Sequence, residues 1–166
     1  MDVDDAIRER RTVKAYSDEA VAPELVRELI ALAVFAPNHH RTEPWRFVVL
    51  GPATVARLAE ATGDPKLLRS RTAVVVGQLV DADPAVAEED YAACVCAIYA
   101  LMLAARRRGL ASYWRTPAAL GHPAAAGVLG LSPDVRPIGI VHLGTPSEPW
   151  PTSPVRAADP FTAWLP

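Results

Sequence analysis

Cysteine is scarce in this sequence: among 166 residues only Cys94 and Cys96 occur. They sit two apart inside an apolar helical pattern, a spacing that makes neither a CxxC redox pair nor a usable zinc half-site. They read as small buried or interface hydrophobes. Long apolar runs are lacking too, none reaching the ~18 residues a membrane span needs. The opening MDVDDAIRERR is charged where a signal peptide requires an apolar core, which predicts a cytoplasmic protein with no membrane partner. An excess of either charge is missing: the net charge is -2 and the basic residues are dispersed, so there is no electrostatic footprint for nucleic acid. Finally, neither a GxGxxG fingerprint nor a phosphate-loop pattern is present, which argues against a strand, glycine-rich turn and helix of the dinucleotide-binding kind.

What the chain does have is a hydrophobic content of 51% over 166 residues, enough for a single domain spanning 1–166. Residues 2 to 10 follow a helical pattern with acids in the first turn, where they complement the helix dipole. Pro23 and Glu24 open a second helix whose apolar positions Leu25, Val26, Leu29, Ile30 and Ala33 repeat at helical spacing, closed by Pro37. RFVVL (46 to 50) and TAVVVGQLV (72 to 80) read as buried β-branched strands, with an amphipathic helix, PATVARLAEAT, between them. From about Ala87 to Arg108 runs the longest helix, apolar almost all round, which implies burial on more than one side, at a domain centre or a dimer interface. Gly109 stops it, and ASYW, PAAAGVLG and PIGIVHLG follow as strand, helix and strand. About five helices and four strands in mixed order make an α+β layout. Residues 147–166 are proline-rich yet carry Trp150, Phe161 and Trp164, and read as an extended arm packed on something rather than free disorder.

Three segments hold candidate chemistry. If the chain extends after Arg10, then Arg10, Thr12 and Lys14 fall on one face, and two cations with a hydroxyl make a seat for phosphate; the alternative is a solvated basic helix end. NHHRTEPW (38 to 45) crowds His39 and His40 beside Arg41 and Glu43. Adjacent histidines point to different sides of a helix or strand, so a metal is disfavoured, no serine or cysteine motif matches a nucleophile, and a polar loop or a plain connection remains. SYWRTP (112 to 117) ends a strand at Trp114, Arg115 and Thr116, where Thr116 is the last backbone donor before Pro117.

In this order and at these separations, RRTVKAYSDEAV, APNHHRTEPWRFVVL, RRRGLASYWRTP and PIGIVHLGTP resemble the nitroreductase family of flavoproteins, in particular its small, minimal members. Arg10, Arg11, Thr12, Val13 and Lys14 match the family's RRS-apolar-basic opening with Thr for Ser. The resemblance implies a nitroreductase-like α+β fold, with a central mixed, mainly antiparallel sheet flanked by helices, in a homodimer with FMN at shared interface sites. It further implies that Arg10, Arg11, Thr12 and Lys14 hold the phosphate, ribityl chain and pyrimidine edge, with Lys14 the cation beside the flavin N1 and C2=O. Asn38, His39 and Arg41 would approach from the other subunit, Trp114, Arg115 and Thr116 would border the N5 edge, and Arg156 would touch phosphate. The implied activity is ping-pong hydride transfer from NADH or NADPH through FMN to nitroaromatics, quinones or similar small acceptors, without a side-chain acid or base. A pathway-specific flavin enzyme, or a flavin-binding dimer without turnover, would share these features. Relatives often carry Asn at the position of Arg41 and Gln at that of Glu43. Only about ten residues, TGDPKLLRSR, stand where larger relatives build a helical lid, so an open, shallow active site is expected.

Overall fold

The computed structural model describes residues 1–152 and 157–165; the Arg156 expectation falls outside them. Helix α1 (Val3–Glu9) opens on a reciprocal capping box between Asp2 and Asp5. Helices α2 (Pro23–Ala33), α3 (Pro52–Thr62), α4 (Pro84–Arg107) and α5 (Pro123–Leu129) all start with proline in the first turn, where its missing N–H costs nothing. Asp83 caps α4 by accepting from the Ala85 N–H, so the helix starts at Pro84, three residues ahead of the start at Ala87 that periodicity alone suggests. Left-handed Gly63 and Gly130 close α3 and α5.

Four strands, β1 (Trp45–Leu50), β2 (Thr72–Leu79), β3 (Ala111–Arg115) and β4 (Val135–Gly144), form one sheet in the order β1-β2-β4-β3. Every strand pair is antiparallel. The mixed character expected of the sheet comes down to one parallel bridge, Thr12 to Ser112.

The strand period of two sorts the core into two layers. Val74, Val76, Val141 and Leu143 face α2 and α4, meeting Leu29, Ile98 and Leu101, whereas Ala73, Val75 and Ile140 face α3 and α5, meeting Leu58, Leu67 and Leu129. Because β2 is covered on both sides, Thr72 to Gln78 are all buried, which is why it reads as a continuous β-branched run.

Helix α4 lies on the sheet with Cys94, Ala97, Ile98 and Leu101 buried, yet its other side is not polar. Cys96 and Tyr99 are exposed there, beside Leu32 and Phe35 at the end of α2, and Phe35 is 85% exposed. Val3 and Leu32 extend this apolar surface along α1. Among the described residues no helix is long and apolar enough to cross a membrane.

Candidate functional site

Helix α1 is short, and the Arg10 N–H makes its last helical bond, to the Ala6 carbonyl at 3.0 Å, before the backbone turns extended with ψ 125°. The chain then runs along the free edge of β3. Val13 N–H donates to the Ser112 carbonyl at 3.3 Å and, after Tyr16 bridges to Pro146, Ser17 N–H donates to the Thr145 carbonyl at 2.9 Å. Alternation follows from the extended backbone: Val13 is buried and Thr12 and Lys14 stand outward. Among the described residues the side chains of Arg10, Thr12 and Lys14 make no hydrogen bond, and Lys14 Nζ lies 5.3 Å from the centroid of the Tyr113 ring. Arg11 instead turns back, its guanidinium donating to the Arg10 carbonyl at 2.7 Å.

The end of β3 stands next to this run. Tyr113 and Arg115 register with His142 and Ile140, so their side chains share the face of α3 and α5, and Trp114 packs on the other layer. The Arg115 guanidinium does not project into open space. It pairs with Asp64 at 3.1 Å, the two side chains being 13% and 19% exposed, and Asp64 also accepts from the Lys66 N–H at 3.0 Å. The short connection after α3, a 3-10 turn at Pro65–Arg69, is thereby tied to the strand end. Only Thr116 of the trio is exposed.

Trp114 fits over Gly139, where an added Cβ would come 2.2 Å from the indole Nε1. Orphaned polar atoms concentrate around this strand: among the described residues Trp114 Nε1, an Arg115 terminal nitrogen, Arg11 Nε and His142 Nε2 are buried without partners.

His142 is fully buried. Its Nδ1 lies 3.0 Å from the Ser70 hydroxyl, which donates to the Thr72 carbonyl at 2.7 Å. With the hydroxyl proton so used, Nδ1 must carry the imidazole hydrogen and Nε2 is a bare acceptor. Burial above all, then the charges of Arg115 and Arg69, bring its pKa from 6.5 down to about 4, partly opposed by Asp64. Burial likewise raises the Tyr16 phenol, whose hydroxyl donates to the Val13 carbonyl at 2.6 Å.

The loop between α2 and β1 holds Asn38, His39 and Arg41. It contains a 3-10 turn at His39–Arg41, with His40 (φ 56°), Arg41 (φ 55°) and Glu43 (φ 48°) in the left-handed region, a cost of ~1 kcal/mol or more for each non-glycine residue. His39 faces its own chain, with Nδ1 2.6 Å from the Glu89 carboxylate. Asn38 bonds within the loop: its amide donates to Thr42 Oγ1 at 2.9 Å and its side-chain carbonyl accepts from the Glu43 N–H at 2.8 Å. His40 and Arg41 remain exposed. Among the described residues no group of three or more His, Cys, Asp or Glu is placed to hold a metal ion.

On the tail, Trp150 stacks over the Arg106 guanidinium at 4.1 Å and donates to the Glu9 carbonyl at 2.7 Å, next to Arg10. Phe161 and Trp164 are 83% and 86% exposed. No local pattern marks Asp64, Tyr113, His142 or Ser70 as neighbours of this edge. Alternation counted outward from Arg115 along β3 was the one available pointer to Tyr113.

The site is thus the edge of a layered α+β fold where Arg10, Thr12 and Lys14 make no side-chain hydrogen bond among the described residues. The Nitroreductase family model matches residues 7–65, the stretch that holds the edge run and the strained loop. YfhC of Bacillus subtilis, provisionally named as an NAD(P)H nitroreductase, is 27% identical over 163 residues, covering 87% of this chain and 84% of its own. The crystal structure of a nitroreductase-like family protein from Bacillus cereus superposes with a TM-score of 0.87 at 24% identity, over 99% of this chain and 96% of that one. A provisionally named nitroreductase from Desulfovibrio desulfuricans, solved in complex with FMN, has a TM-score of 0.81 at 24% identity, over 100% and 98%. The chain is thus similar to nitroreductase-family proteins in sequence over residues 7–65 and shares their fold along nearly its whole length.

Proposed function

We propose that this chain is a homodimeric FMN-dependent NAD(P)H oxidoreductase of the cytoplasm that reduces small acceptors such as nitroaromatics or quinones in a ping-pong cycle. The observation that carries the reading is the extended run from Arg10 to Lys14, which presents two cations and a hydroxyl on one side of a sheet edge with no side-chain hydrogen bond among the described residues. This donor set fits a flavin mononucleotide. The guanidinium of Arg10 suits the dianionic phosphate by a planar fork, the Thr12 hydroxyl suits the ribityl chain, and Lys14 supplies a point charge for the pyrimidine edge. Thr116, exposed at the end of β3, has the backbone donor closest to Pro117 and belongs beside the ring's N5 edge.

When bound, FMN supplies hydride chemistry between a nicotinamide and an acceptor. The residues bind, orient and neutralise developing charge, and no protein acid or base is assigned. Arg115 holds the strand end through the terminal nitrogen that pairs with Asp64, and its other terminal nitrogen, without a partner among the described residues, stays available beside the flavin. Asn38 is held within its own chain and His39 bonds Glu89 while staying exposed, so His39, His40 and Arg41 are exposed side chains of that loop able to face a partner's flavin. Support for the dimer comes from the exposed Phe35, Leu32 and Tyr99 beside α4, since contiguous apolar surface of this kind marks an interface.

The deciding test is anaerobic. The purified protein, loaded with FMN, is titrated with NADH and with NADPH while the flavin absorbance is followed; bleaching by either supports the enzyme, and bound FMN that neither bleaches leaves a binding module. Arg10→Ala with Lys14→Ala is expected to release the flavin, each lost charge-assisted bond costing ~1.5 to 3 kcal/mol; unchanged affinity would remove the site assignment. Phe35→Glu is expected to give monomers in light scattering, with flavin loss.

A further inference from the structure

We propose that Asp90 is a positioning residue: together with Thr42 it clamps the 38–43 loop onto α4 in the shape that the flavin site needs. The loop's part in that site rests on the function proposed above, whereas the clamp itself does not.

Among the described residues Asp90 is the one buried carboxylate, at 4% exposure, and it sits on a stretch of α4 whose next inward positions are Ala93, Cys94 and Ala97. An apolar side chain would continue that face at lower desolvation cost, so the packing of the core gives no reason for a carboxylate there. What the carboxylate does contact is the loop: it accepts from the Thr42 hydroxyl. Thr42 Oγ1 in turn accepts from the Asn38 amide at 2.9 Å, and the Asn38 carbonyl accepts from the Glu43 N–H at 2.8 Å. The neighbouring Glu89 holds His39 at 2.6 Å. Apart from the Arg46 guanidinium, which donates to the Glu43 carbonyl at 3.0 Å from β1, these side-chain fastenings of the loop lead back to two consecutive acids on α4.

The loop requires such fastening. His40, Arg41 and Glu43 all have positive φ and none is glycine, a conformation that persists only where surrounding contacts over-determine it. With the Thr42 hydroxyl and the Asp90 carboxylate in place, the backbone is fixed with the His40 and Arg41 side chains outward. Without them the three residues relax to negative φ and the outward pair is no longer presented.

The test compares Thr42→Val and Asp90→Leu with wild type and with Thr42→Ser, in the full-length chain. In the FMN-free protein, amide hydrogen exchange at Glu43 is expected to speed up at least tenfold in Thr42→Val and Asp90→Leu, while the thermal midpoint holds. The FMN dissociation constant, read by flavin fluorescence, is expected to rise about tenfold in both. Thr42→Ser keeps the hydroxyl and should behave as wild type in both measurements. Unchanged Glu43 exchange in Thr42→Val would overturn the clamp, as would FMN loss that only tracks a fall in thermal midpoint. A wild-type chain that takes up no FMN would sink the proposed function, and the exchange comparison, made without FMN, would still decide for or against the clamp.

Discussion

Acid should unfold this protein through His142 before most carboxylates are protonated. The imidazole is fully buried, and its pKa falls from 6.5 to about 4, first because burial disfavours the cation and then because Arg115 and Arg69 repel it. Above pH 6.5 the ring is neutral in folded and unfolded chains alike and contributes nothing to the pH dependence. Below that value the unfolded chain takes up a proton that the folded chain refuses until about pH 4. Stability then falls with falling pH at up to ~1.4 kcal/mol per unit, which accumulates to about 3 kcal/mol across the window, a large part of the 5 to 15 kcal/mol typical of a domain. The comparison is His142→Asn, which keeps a polar group near the Nδ1 position facing Ser70 and does not titrate. Removing the ring costs stability at every pH, so the informative quantity is the difference between the two proteins. Urea unfolding in steps from about pH 7.5 to about pH 4.5 should show the wild type losing its advantage by about 2 kcal/mol or more. Parallel curves would refute the assignment, for then the buried ring must be accepting its proton in the folded state or relaxing into water.

The pair between Arg115 and Asp64, at 13% and 19% exposure, is shielded enough that losing one partner strands the other. Asp64→Asn should cost about 2 kcal/mol, below the ~3 to 5 kcal/mol of a fully buried pair, and Arg115→Met in the same chain should recover part of it in a double-mutant cycle of urea unfolding. Gly139→Ala places a methyl 2.2 Å from the Trp114 indole nitrogen and 3.0 Å from the Arg115 carbonyl. The indole must swing away, at ~1 to 3 kcal/mol, visible as a lower thermal midpoint and a red-shifted tryptophan emission.

The layers of the fold were readable because each depends on a short period. The β-branched run in TAVVVGQLV became a strand buried on both faces, and the all-round apolar pattern of α4 became a helix with one side on the sheet and Cys96 and Tyr99 left exposed on the other. The extension after Arg10 was readable for the same reason, since only an extended backbone puts Arg10, Thr12 and Lys14 together. Strand order was not readable: the placing of β4 between β2 and β3 depends on pairing with strands far away in sequence, such as Thr72 with Leu143, which no local period encodes. The aromatic tail was only half legible, because Trp150 found Arg106 and Glu9 while Phe161 and Trp164 stayed exposed on their own chain.

The site shows the sharper division, because residue type tells what a side chain is able to do and not which partner reaches it first. Arg115 and His39 look like ligand-binding groups in a linear sequence. In the fold, each has a carboxylate of its own chain within hydrogen-bonding distance, Asp64 and Glu89, 51 and 50 residues away. A donor next to an acceptor supplied by the same chain loses no freedom of association in bonding to it, so a ligand must first displace that partner, most of all at the shielded Arg115–Asp64 pair. Lys14, Arg10 and Thr12 escape this because the edge of β3 places no acid against them: Glu9, the nearest acid in the sequence, is held by Arg106 at 2.5 Å. Which donors stay without an acid among the described residues is thus decided by where the acids are spent, and Asp64, Glu89 and Glu9 are spent on Arg115, His39 and Arg106.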